Sequence, residues 1–251
     1  MAAQHLVYSI TPASLLEKTI LVVGAGDGIG KQAALSYALA GANVILLGRT
    51  VAKLEVVYDK IVAQGSIEPS IVPLDMAGAS PTHYKDMANS IKSQFGHLDG
   101  VLFNASVLGN LCPFEQIKET EFNEVMQVNL HSQFHMTQAL LPLLKESKRA
   151  SVIYTTSSVG RLGRSFWGTY AISKFATEGM MQVLADEFKN SSVRFNCINP
   201  GATRTSMRAK AYPAEKAEKL KTPLEIMPTY VYLMSDDSAK TNAQSLDCQP
   251  K

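Results

Sequence analysis

The sequence predicts an α/β protein built on a doubly wound parallel sheet. Three observations carry that expectation: short apolar runs recur along the chain, helix-competent segments separate them, and the first run leads into a glycine-rich turn. Continuous apolar runs suit strands buried on both faces, and right-handed crossovers place helices on either side of the sheet. The series opens with a strand over 20–23 and a helix over 29–40, then a strand over 44–47 and a helix over 51–64. A strand over 71–74 follows; Pro73 falls at its end, where a missing N–H is tolerated. Next come a helix over 82–95, a strand over 101–103, a long helix over 121–144 and a strand over 151–155. A helix over 169–190, a strand over 193–198, a helix over 224–235 and a last strand over 245–247 complete the alternation.

At 251 residues, with 46% hydrophobic and 18% charged residues and no linker-like stretch, the chain reads as one domain over 1–251. A net charge of +2, scattered along the chain, argues against a nucleic-acid partner. No run reaches the roughly 20 apolar residues of a spanning helix, and the N-terminal residues lack a secretory pattern, so no membrane partner and a cytoplasmic location are expected. Cys112, Cys197 and Cys248 are odd in number and widely spaced, which suits neither a disulfide framework nor a zinc site. His131 and His135 are four apart but have no glutamate between them, and no metal is expected.

In a sheet of this kind ligands bind beyond the carboxyl ends of the strands. There the chain places Gly24, Asp27, Gly28, Ile29 and Gly30, a G-x-x-x-G-x-G turn that would aim backbone N–H groups and a helix N-terminus at a pyrophosphate. An ordinary βα turn would use the same glycines. The Walker A pattern fails, since Gln32 follows Lys31 where a Ser or Thr is required. After the second strand stands Arg49, where a carboxylate would otherwise meet the ribose 2′-hydroxyl. Its guanidinium suits a 2′-phosphate and favours NADP(H) over NAD(H), unless it is a solvated loop arginine.

Tyr170 and Lys174, four apart, share one face of their helix. A phenol titrates near pH 10, and an adjacent ammonium favours its phenolate, making the pair a candidate acid/base. Such a pair also arises on ordinary helix surfaces; Ser157, 13 residues before Tyr170, gives it context.

With the glycine spacing, Ser157, Tyr170-x3-Lys174 and Asn199-Pro200-Gly201 in order, the chain resembles the short-chain dehydrogenase/reductase family across about residues 17 to 248. It looks especially similar to a bacterial subgroup of oxidoreductases without an assigned substrate, which share Val-Gly-Arg after the serine and the helix Phe175-Ala176-Thr177-Glu178-Gly179-Met180-Met181. The resemblance implies a Rossmann-type fold. It also implies pyrophosphate contacts from Gly24, Gly28 and Gly30, adenine contact at Asp75, support of the adenosine ribose by Asn104 and Ala105, and nicotinamide-side contacts after Pro200 and Gly201, at Thr203 and Thr205. Asn129 matches the asparagine that holds a relay water. A homodimer or homotetramer is implied in the same way. Two motifs depart from the family pattern: Val23 replaces the usual threonine, and the Asn-Asn-Ala-Gly motif reads Phe103-Asn104-Ala105-Ser106.

The implied reaction moves a hydride between NADP(H) and a small-molecule carbonyl or secondary alcohol, with Tyr170 as general acid/base, Ser157 bonding the reacting oxygen, and Lys174 acting on both the phenol and the ribose. A non-catalytic NADP(H)-binding regulatory protein of the same fold is the alternative. Residues 203–222 should form a substrate-side flap, whose cations Arg204, Arg208, Lys210, Lys216, Lys219 and Lys221 either favour an anionic substrate or are simply solvated. Arg161 and Arg164 are expected near the substrate mouth.

Overall fold

The computed structural model describes residues 8–249; residues 1–7 and 250–251 of the expected span lie outside the described residues. Seven parallel strands form one sheet: β1 (Thr19–Val23), β2 (Asn43–Gly48), β3 (Ser70–Pro73), β4 (Gly100–Phe103), β5 (Ala150–Thr155), β6 (Val193–Asn199) and β7 (Ser245–Asp247). Their order is β3-β2-β1-β4-β5-β6-β7, so the winding reverses between β1 and β4 and leaves a crevice beyond their carboxyl ends.

Alternation along each strand divides the core in two. Ile20, Val22, Val44 and Leu46 pack on one face against α1 (Gly28–Leu39), α2 (Val51–Ala63) and α8 (Met227–Met234). Leu21, Val23, Ile45 and Leu47 pack on the other against α3 (Pro81–Phe95), α5 (Ser132–Glu146) and α6 (Gly168–Glu187). Only the central strands are buried on both faces. The edge strands β3 and β7 are half-buried, and Pro73 closes β3 where no further strand needs its N–H. Among the described residues no helix is long and apolar enough to cross a membrane.

The expected helix over 121–144 is not uniform. α4 (Glu119–Met126) widens into a π-turn at Gln127–His131 before α5 begins. Asn129 lies in that turn, fully buried. Its Oδ1 accepts the Val107 N–H at 2.8 Å, and its Nδ2 donates to the Val107 carbonyl at 2.9 Å and to Ser173 Oγ at 3.0 Å. The amide thus ties the loop after β4 to α6, a long-range demand that helical periodicity does not reveal.

At the other end of the sheet, buried Arg194 of β6 donates to the Leu233 and Thr241 carbonyls, both at 2.9 Å. This satisfies a carbonyl that the C-terminus of α8 leaves open.

Candidate active site

The turn after β1 is packed too tightly for side chains. A Cβ at Gly30 would lie 2.1 Å from the Gly24 carbonyl oxygen, and one at Gly24, where φ is 89°, would lie 2.7 Å from the Ala105 nitrogen. The glycines therefore let the loops after β1 and β4 touch at the crevice, with backbone rather than side chain facing it. Asp27 caps α1 by accepting the Gly28 N–H at 2.7 Å, and Lys53 Nζ reaches its other oxygen at 2.9 Å. The lysine bond chiefly holds this carboxyl below its usual range.

A cavity of about 300 Å³ opens here. Gly24, Asp27, Gly28 and Ile29 line one end, with Gly30 packed against Gly24. Asn104 and Ala105 follow β4, Ser157 follows β5, and Tyr170 and Lys174 enter from α6. Pro200, Gly201, Thr203 and Thr205 supply the wall after β6. Arg49 and Asp75 are exposed beyond the ends of β2 and β3, outside this wall, and the Asp75 carboxylate accepts the Ala77 N–H at 3.1 Å. Backbone N–H groups at a helix N-terminus, flanked by Thr203 and Thr205, are a donor set that fits a pyrophosphate-bearing dinucleotide.

Lys174 is 1% exposed and donates to the Thr155 carbonyl at 2.8 Å. Burial lowers its pKa to about 8. Its Nζ lies 5.4 Å from the centre of the Tyr170 ring. The Tyr170 phenol departs from the expected phenolate bias: burial pushes its pKa up to about 12, and the Ser106 hydroxyl only tempers the rise. Ser106 Oγ makes no full hydrogen bond, although it is buried beside the phenol. Desolvation therefore dominates at this site, and the phenol holds its proton at neutral pH.

The other arginine expectations need correction. Arg161 turns from the cavity to donate to Asp247 at 2.8 Å, Ser245 at 2.6 Å and Glu178 at 3.3 Å, tying its loop to α6 and β7. Arg164 is exposed and outside the cavity wall. In segment 203–222, which carries α7 (Ser206–Ala211), Arg204 donates to the Ala217 carbonyl at 2.8 Å, and Arg208 grips Glu215 with two bonds of 2.6 and 2.7 Å. Arg208 is thus ion-paired, while Arg204 is held by backbone carbonyls. Sequence reasoning missed Ser106, Trp167, Met207 and Leu108 as cavity residues. Only Trp167 carried a signal, as the chain's single tryptophan, three residues before Tyr170.

The family model described as short chain dehydrogenase matches residues 18–216. The chain is 50% identical to the oxidoreductase YciK of Escherichia coli (strain K12) over 236 residues, 94% of this chain and 93% of that protein. A short chain dehydrogenase structure from Pseudomonas syringae superposes with a TM-score of 0.96 at 50% identity, covering 97% of this chain and 99% of that one. Another, from Escherichia coli CFT073 and complexed with NADPH, gives 0.94 at 49% identity, covering 96% and 100%. The chain therefore belongs to the short-chain dehydrogenase/reductase family and is an oxidoreductase.

Proposed function

We propose that this oxidoreductase uses NADP(H) and acts on a carbonyl or secondary alcohol, with Tyr170 as its general acid/base. The observation that carries the reading is the convergence of Ser157, Tyr170 and Lys174 on the cavity that the glycine turn also lines. The NADPH complex of a chain 49% identical to this one supports the cofactor.

The dinucleotide, when bound, supplies or accepts the hydride. Gly24, Gly28, Ile29 and Gly30 form its pyrophosphate cradle, with Asp27 capping the helix beneath; Arg49 meets the 2′-phosphate and Asp75 the adenine side. Asn104 and Ala105 support the ribose, while Pro200, Gly201, Thr203 and Thr205 face the nicotinamide end. Tyr170, protonated at neutral pH with its pKa raised further by burial, donates its proton to the oxygen of a carbonyl being reduced. The Ser157 hydroxyl bonds the same oxygen and stabilises the charge that grows there. Lys174, anchored on Thr155, holds the ribose and adds positive charge beside the phenol. Asn129 acts as a positioning residue, since its side chain is committed to Val107 and Ser173.

The half-exposed Phe134 and Phe175 and the 65%-exposed Val183, on α5 and α6, favour a self-associated form, which light scattering would detect.

The test is NADPH oxidation across a panel of carbonyl compounds, with Tyr170→Phe alongside the native protein. Loss of the proton donor should lower turnover by about 10²- to 10⁴-fold and leave NADPH affinity unchanged. Near-native turnover in that variant would refute the mechanism. NADPH binding without turnover of any compound would instead favour a regulatory binding protein.

A further inference from the structure

The residues around the Tyr170 ring are apolar. Leu108, Val159 and Ala171 are buried against it, with Leu111, Met207 and Ala211 packed at their edge. Trp167 closes the group, its ring centre 5.9 Å from that of Tyr170 and 5.9 Å from that of Tyr212. The preceding residue, Phe166, takes a φ of 73°, in the left-handed region that non-glycine residues seldom adopt. The Phe166 carbonyl accepts the Cys112 N–H at 3.2 Å, and Trp167 follows directly.

Two cations line the cavity, and both are committed. Lys174 is anchored on the Thr155 carbonyl. Arg208 is gripped in its plane by Glu215, and its flat face lies 3.9 Å from the centre of the Tyr212 ring. The carboxylate thus occupies the Nε/Nη2 edge, one of the two edges with which a guanidinium reads an anion bidentately, and the ring covers one face.

Resting on the reaction proposed above, we propose that the substrate is an uncharged, apolar carbonyl compound or its alcohol, seated against Trp167, and that Glu215 masks Arg208 so that this end of the cavity rejects anions. A carboxylate entering it would either lose its water without a partner or have to break the bidentate pair. The basic composition of the flap therefore does not translate into an anion site. Of the flap's cations only Arg208 lines the cavity, and that one is paired within the flap.

Because Trp167 is the only tryptophan, its fluorescence reads this end of the cavity directly. The protein saturated with NADP+ is titrated with methyl hexyl ketone and with the keto acid of the same length that ends in a carboxylate instead of a methyl group. The oxidised cofactor has no hydride to give, so binding is measured without turnover. The ketone should change the emission saturably, and the keto acid should bind about tenfold or more weakly. Glu215→Gln should strengthen keto acid binding roughly tenfold and leave the ketone unchanged. Arg208→Gln should not weaken the keto acid further, since that guanidinium is already masked.

Equal or tighter keto acid binding in the native protein would overturn the proposal, as would no saturable response to the ketone. An unchanged preference in a folded Glu215→Gln protein would do the same, and so would loss of keto acid binding in Arg208→Gln. If the binding pattern holds but NADPH reduces neither compound, the reductase reading fails while the selectivity of the cavity stands.

Discussion

Lys174 makes the folded protein's stability depend on pH in a direction opposite to that of most buried acids. Its ammonium is 1% exposed, and burial lowers its pKa from 10.5 to about 8. Between those values the unfolded chain holds a proton that the folded chain has released, so stability rises with pH across that window and is lowest below it. A shift of this size corresponds to about 3 kcal/mol. Lys174→Met keeps a similar volume but removes the titration. It also removes the 2.8 Å bond to the Thr155 carbonyl, which an amine donates in either protonation state, so that loss is a nearly constant offset of roughly 1 to 3 kcal/mol. The buried tyrosines and Cys197 bend the curve the other way, because their pKa values are raised, but they do so in both proteins. The assay is urea denaturation followed by circular dichroism, at one protein concentration and in reductant, from pH 7 to 10.5. The stability of native protein minus variant should increase by about 3 kcal/mol over that range. A difference that stays flat, or that falls as the pH rises, would refute the claim that the folded site holds this lysine against its own solvation.

Arg49→Ala should weaken NADPH binding roughly ten- to a hundredfold and leave NADH unchanged, because a charge-assisted bond contributes roughly 1.5 to 3 kcal/mol; calorimetry with both cofactors checks this, and equal losses would remove Arg49 from the 2′-phosphate. Gly30→Ala places a methyl 2.1 Å from the backbone oxygen of Gly24, so NADPH affinity should collapse and stability fall by about 1 to 3 kcal/mol. Gly163→Ala, which meets nothing within 4 Å, should change stability by less than roughly 0.5 kcal/mol and is the control in the same denaturation series.

The sequence by itself determined the succession of strands and helices, the glycine turn after β1, Ser157 and Asn199-Pro200-Gly201 at strand ends, and the Tyr170–Lys174 pair on one helix. These were legible because apolar periodicity, turn chemistry and short spacings are properties of near neighbours in the chain. Only the tertiary structure decided what those residues meet. Asn129 reads as a mid-helix residue until Val107 and Ser173, 22 and 44 positions away, widen its turn. Arg161 reads as a pocket cation until Glu178 and Asp247 claim it, and Arg208 until Glu215 and Tyr212 enclose it. Burial raises the Tyr170 pKa, which its spacing from Lys174 does not reveal, and Trp167 lines the cavity beside a left-handed Phe166 that no spacing announces. Desolvation and ion pairing depend on which distant groups share a small volume, and that is fixed only once the sheet has brought them together.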